Sequence, residues 1–167
     1  MSKACTAGWV GPRKPAVLVS YGRMWADTLL LAERAALLRL AIWGAGCIMA
    51  GTAIHALLMV RRLKSQLLDG FALQTVIWGA IALARFVEGM AALVPRDLAA
   101  ATVLQRWVWM LNGLDIGLFA VGVTLAIAGW SLGKRLAVVG AGIALAVQGA
   151  ALVALDARFA TILSRLV

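Results

Sequence analysis

Four long runs of apolar residues, parted by short polar breaks, set the pattern of this chain. They lie at about Leu37 to Val60, Phe71 to Val94, Trp107 to Trp130 and Leu136 to Leu155. At ~1.5 Å per residue each can cross the roughly 30 Å hydrocarbon core of a bilayer. The breaks are too short for a soluble domain, and backbone groups in hydrocarbon must be satisfied within each segment. The pattern therefore predicts an all-α fold, a four-transmembrane-helix bundle occupying residues 37–167. Upstream, Ser20 is expected to cap a helix over residues 21–36, where Asp27, Glu33 and Arg34 interrupt the apolar Met24, Trp25, Leu29 and Leu30. An amphipathic helix lying in the membrane interface is the leading expectation for that stretch. A straight extension of the first span and a helix packed on a partner protein are the alternatives. Residues 1–20 form a basic tail with Lys3, Arg13 and Lys14; it has no uninterrupted apolar core, so no cleavable signal peptide is expected.

The informative residues are the polar ones inside the spans. Asp115 sits among apolar residues in the third span, where a charge demands protein or water as its neighbour rather than lipid. Counted from the span ends that share one membrane face, Arg85 lies roughly 14 Å deep, Glu88 roughly 9 Å, Asn112 about 8 Å, and Asp115 and Gln148 about 12 Å. Matched depth predicts one intramembrane polar cluster of Arg85, Glu88, Asn112, Asp115 and Gln148, with Arg85 bonded to Asp115. The other half of the bundle offers only His55, with Gln74 as its expected neighbour. Small residues should let helices approach closely, at Gly46 and Ala50, at Gly113 and Gly117, and at Gly142 and Ala146. Trp25, Trp107, Trp109 and Trp130 are expected to anchor at the membrane interfaces.

Composition agrees, with 63% hydrophobic and 14% charged residues. The net charge of +9 comes mostly from basic residues at span ends, without a continuous basic face. That placement fits contact with anionic lipid head groups and excludes a nucleic-acid partner. Even span number puts both termini on one side. Basic residues there outnumber Arg61, Arg62, Lys64, Lys134 and Arg135 opposite, favouring cytoplasmic termini in a bacterial inner or intracytoplasmic membrane. Cys5 in the tail and Cys47 in the first span make no disulfide framework. A single histidine rules out two-histidine haem ligation within one chain, and a pigment or haem on His55 is only a minor alternative to no cofactor and no metal. No zinc-protease helix, nucleophile elbow or phosphate-binding loop is present, so no enzyme activity is expected.

The run LNGLDIGLFAVGVTLAIAG followed by VGAGIALAVQGAALVALD resembles an uncharacterised bacterial family of small four-helix integral membrane proteins, known as a domain of unknown function. The resemblance rests on Asn112, Gly113, Leu114, Asp115 and Gly117 in one span and on Gln148, Gly149, Leu152 and Asp156 in the next; Phe71, Gln74 and Trp78 in the second span are similar as well. It implies the four-span fold and no activity. The sequence departs from that family in carrying Ala, Gly, His55 and Arg85 where its members tend to have tryptophan or asparagine. The leading functional expectation is a non-enzymatic accessory or scaffold subunit packed against other integral membrane subunits. The alternative is a small proton or ion conductor using the buried acids.

Overall fold

The structure, a computed structural model, describes residues 16–166; the basic tail through residue 15, with Cys5, lies outside the described residues. Four helices follow one another: α1 (Ala16–Arg61), α2 (Gln66–Ala91), α3 (Leu98–Ser131) and α4 (Leu136–Leu166). Each is long and apolar enough to cross a membrane. Their outward faces are apolar too, with Ile42 at 73% and Val60 at 80% exposure. Water would penalise such a surface and lipid would not. Polar side chains mark two of the starts: Ser65 Oγ accepts from Leu68 N at the head of α2, and Asp97 Oδ1 from Ala100 N at the head of α3. The two turns at one end of the bundle, α1–α2 and α3–α4, are closed by backbone bonds, Leu63 N donating to Leu58 O and Arg135 N to Gly129 O. The second passes through Gly133 at φ +99°, a conformation that suits glycine.

No boundary separates residues 21–36 from the first span. α1 runs through both as one helix, and Ser20 lies inside it instead of capping it. The run from Ala16 to Ala36 contains no proline, so nothing in it forces the chain to turn. The apolar stripe carries the explanation further: Leu29, Glu33, Leu40, Gly44, Cys47, Gly51 and Leu58 are all buried and follow one another at steps of three, four or seven. That spacing keeps a single face turned inward along the helix.

α4 is the central helix. It packs against α1, α2 and α3, whereas α3 makes no close backbone approach to α1 or α2. At the end holding the two short turns, α4 is joined to its neighbours by backbone contact. A methyl added at Gly140 would strike the Leu67 carbonyl of α2 and come within 3.0 Å of Phe71 N. One added at Gly122 would strike the backbone of Ala146 and reach 2.8 Å from Gly142 O. Gly142 and Ala146 thus pack as the sequence predicts. Gly46, Gly113 and Gly117 do not, since a methyl on any of them would meet nothing within 4 Å, and Ala50 is exposed. The buried face of α3 is Ala101, Val108, Asn112, Asp115, Gly122 and Gly129, and Gly113 and Gly117 fall one and two positions off it. On α1 the close approach to α2 is made by Gly44, beside Gly79 O, and by Gly51, beside Ala72 O.

At the terminal end the bundle is closed differently, by bulk. Leu29 of α1 meets Ala101 and Val108 of α3 and Phe159, Ala160 and Leu163 of α4. Trp25 Nε1 donates to Leu166 O at 2.7 Å, tying the two helix ends together. This tryptophan is a tie between helices, whereas Trp107, Trp109 and Trp130 present 50–59% of their surface outward, as anchors would. Beside the cluster, Arg96 clasps the buried Glu33 with both ends of its guanidinium, Nη2 to Oε1 at 2.9 Å and Nε to Oε2 at 3.2 Å. The hydrogen bonds that Arg96 donates to Glu33 hold the arginine pKa above its usual value against the opposing effect of burial, so its charge persists at any physiological pH. Glu33→Ala is expected to cost about 1–3 kcal/mol, the penalty for leaving a largely buried partner unpaired. Faster proteolysis of the first half of α1, with the rest unchanged, is the readout.

Candidate functional site

Between the glycine-joined end and the Leu29 cluster, α3 stands away from α1 and α2 and a cleft opens over α4. The polar residues of the spans gather there. Arg85 projects from α2, and its nearest carboxylate is Asp156 of α4, Nη2 to Oδ2 at 3.7 Å. The expected Arg85–Asp115 bond does not form; no salt bridge joins them within 4.0 Å. Since α2 and α3 both lean on α4 and make no close backbone approach to each other, an arginine on α2 meets the acid of the shared helix first. Asp115 is buried at 6% exposure with Asp156 and Arg85 as its charged neighbours. Two carboxylates therefore face one guanidinium. Each carboxylate keeps a buried oxygen, Oδ2, without a hydrogen-bond donor.

The other members of the predicted cluster have separate tasks. Asn112 Nδ2 donates to Val153 O at 3.2 Å, fixing α3 to α4 one turn from Asp115. Gln148 turns the other way: its Oε1 accepts from Trp43 Nε1 at 2.8 Å and its Nε2 donates to Cys47 Sγ at 3.0 Å, both on α1. Glu88 is exposed on α2 and forms no ion pair among the described residues, although it lines the cleft. Arg85, Asp115 and Gln148 thus line one cavity, Asn112 is spent on Val153 O, and Glu88 stays at the rim. The secondary pair also changes. His55 Nδ1 lies 3.6 Å from Asp69 Oδ1 in the first turn of α2, and no hydrogen bond joins it to Gln74. Both side chains are about half exposed, so this is a surface pair at the turn end.

Sequence reasoning missed Asp156, Glu33, Arg96, Trp43 and Trp78 as members of the polar interior. Asp156 was readable: Gln148, Leu152 and Asp156 follow at steps of four, one ladder on one helix face. A fourth span ended at Leu155 put it outside, whereas α4 continues to Leu166. Glu33 lies on the same inward stripe as Leu40 and Cys47.

Two cavities make up the cleft. The larger, of ≈ 500 Å³, lies between Leu37 and Leu40 of α1, Arg85 and Glu88 of α2, Trp107 of α3 and Asp156 of α4. The smaller, of ≈ 210 Å³, lies between α2 and α3 and holds Trp78, Asp115 and Gln148; both share Arg85 and Leu111. The arrangement can hold a ligand by hydrogen bonds and apolar walls. Among the described residues no three His, Cys, Asp or Glu side chains are grouped to hold a metal ion.

The model of a family of unknown function, DUF6992, matches residues 39–157, and the chain belongs to that family. No curated protein and no solved structure matches it. The matched stretch takes in Arg85, Asn112, Asp115, Gln148 and Asp156 but stops short of Trp25, Glu33 and Leu163, so the polar cleft lies in the family's part of the chain. The Leu29 cluster depends on segments at both ends of it.

Proposed function

We propose that this member of the DUF6992 family is a non-enzymatic integral membrane subunit that packs against other membrane-spanning helices as an accessory or scaffold, in a bacterial inner or intracytoplasmic membrane with its termini cytoplasmic. The observation that carries the reading is the strip of glycines pointing out of the bundle. Gly113 and Gly117 on α3 have no neighbour within 4 Å, and Gly46 on α1 is equally open. Glycine weakens a helix interior by about 0.5–1 kcal/mol relative to alanine and contributes nothing to a face that meets only lipid tails. Where another helix packs against that face, the same residues let the backbones come close. Anionic lipids at the basic span ends complete the surroundings.

Isolation in mild detergent with mass spectrometry of the retained proteins tests this directly. The expected result is one or more integral membrane proteins held with the intact chain and lost with Gly117→Leu, while the unfolding midpoint stays unchanged. A monodisperse monomer that retains nothing would overturn it.

Conduction of protons or ions has less in its favour. The buried acids lie in one half of the bundle, and in the other half the α4 backbone lies directly on Leu67 and Ala126 through Gly140 and Gly142. A pigment or haem on His55 has no second supporting group, because the histidine faces Asp69 at the surface.

A further inference from the structure

A third cavity, of ≈ 610 Å³, is a groove between α1 and α4. Trp43, Gly46 and Ala50 line it from α1, and Val147, Ala151 and Ala154 from α4. It opens sideways, toward where the lipid would be: Ile42 on its α1 side is 73% exposed and Val147 on its α4 side 47%. Its uncharged polar groups are already spent. Gln148 is bonded to Trp43 and Cys47, and Thr75 Oγ1 donates to Phe71 O. The exception is Arg39, half-buried at one end of the groove, which forms no ion pair among the described residues.

An arginine keeps its charge in any surroundings and is costly within a span unless a counter-charge is supplied. The acids that share a cavity with Arg39 do not serve. Glu33 is clasped by Arg96 and Asp156 pairs with Arg85, while Glu88 stands exposed at the rim and forms no ion pair. Trp107, an interface tryptophan, lines that same larger cavity, so the guanidinium lies close to head-group depth. From there the groove descends along α1 from Arg39 to Ala50, about 16 Å by helical rise. That is about half of the hydrocarbon core, the depth of one leaflet.

Length and polarity together select the occupant. A helix of another protein would follow the whole span, not half of it. Water would find no unspent partner along the floor of the groove. An uncharged tail would leave Arg39 alone. An acyl chain joined to an anionic head fits both parts at once, with the head on Arg39 and the tail over Gly46, where an added methyl would meet nothing within 4 Å.

We propose that the α1–α4 groove binds one phospholipid of net negative charge from the leaflet on the side of the chain termini, its phosphate on Arg39 and one acyl chain against Trp43 and Gly46. Such a site rests on the membrane placement and not on the accessory role, since the Gly113 and Gly117 face of α3 stays open to a partner helix.

The full-length chain in an uncharged detergent is titrated with dioleoyl phosphatidylglycerol and, separately, with dioleoyl phosphatidylcholine, and the bound lipids are counted by native mass spectrometry. The two lipids share their tails and differ in head charge. The expected result is a first phosphatidylglycerol held about three- to tenfold more tightly than the first phosphatidylcholine, the contribution of one basic side chain near an anionic head. Arg39→Gln abolishes that preference, whereas Arg34→Gln, exposed on the same helix outside the groove, keeps it. Gly46→Leu fills the groove and weakens both lipids by a similar factor. Its side chain starts in open space, so the bundle tolerates it and the tail is tested apart from the head. Equal binding of the two lipids by the parent overturns the proposal, and is what an arginine reaching up to interfacial water would give. So does a preference that survives Arg39→Gln or falls equally with Arg34→Gln, and so does lipid binding untouched by Gly46→Leu. Partner proteins retained alongside any of these results would leave the accessory role standing and refute the lipid site alone.

Discussion

Gly140→Val is expected to be the most damaging single substitution in the chain, destabilising it by at least about 3 kcal/mol, the upper end of what overpacking a well-filled interior costs. The α2 backbone leaves no room at this position: an added methyl would collide with the Leu67 carbonyl, and backbone cannot swing aside as a side chain can. In lipid, where apolar side chains gain little by leaving one apolar solvent for another, close backbone approach is a principal source of helix association. Losing it at Gly140 therefore removes attraction as well as adding strain. The check is an unfolding titration in mixed micelles of mild detergent and dodecyl sulfate, with Gly117→Ala as the paired control. That control should shift the midpoint little, since its added methyl meets open space. Equal losses from the two substitutions would mean that the glycine-joined seam does not hold the bundle together.

Arg85→Leu is expected to be nearly as costly, for an electrostatic reason. It leaves Asp115 and Asp156 facing each other in the cleft with no cation between them. Removing one partner of a buried pair costs about 3–5 kcal/mol, and the lower figure applies here because 33% of the arginine side chain is open. Arg85→Lys keeps the charge and should lose less. Combining Arg85→Leu with Asp156→Leu should recover part of the loss, since fewer charges are then stranded. Asp115→Asn is expected to change stability by no more than about 1 kcal/mol, because it keeps an acceptor while relieving one of two negative charges on a single guanidinium. These variants are read in the same micelle titration. An Arg85→Leu protein as stable as the parent would show that the arginine is solvated through the cleft and pairs with nothing.

The four helices were legible because apolar length is a local property, fixed by hydrocarbon thickness and readable within one window. Their ends were less so. α3 begins nine residues before Trp107 and α4 runs past Leu155, because helices continue into water wherever no proline or glycine stops them. Depth put Arg85, Asp115 and Gln148 at one level, since rise per residue is constant, and these three line one cavity. It could not say which residue bonds which, for that depends on which helices are neighbours. The Arg85–Asp156 pair follows from α4 standing between α2 and α3, a fact of arrangement that no single span encodes. Which glycines join helices inside the bundle was not legible for a related reason: Gly113 and Gly122 look alike in a hydropathy window, and only the stripe through Asn112, Asp115, Gly122 and Gly129 tells them apart.

The position of α4 also bears on how the chain is made. The helix that touches all the others is synthesised after the three of them. Until then α1 and α2 can pair through Gly44 and Gly79, but α3 makes no close backbone approach to either, and Asp115 enters the bilayer with neither Asn112 nor itself yet set against α4. The arrangement is thus completed only once α4 is inserted, and the vulnerable species is a nascent three-helix intermediate with an acid waiting for its shelter.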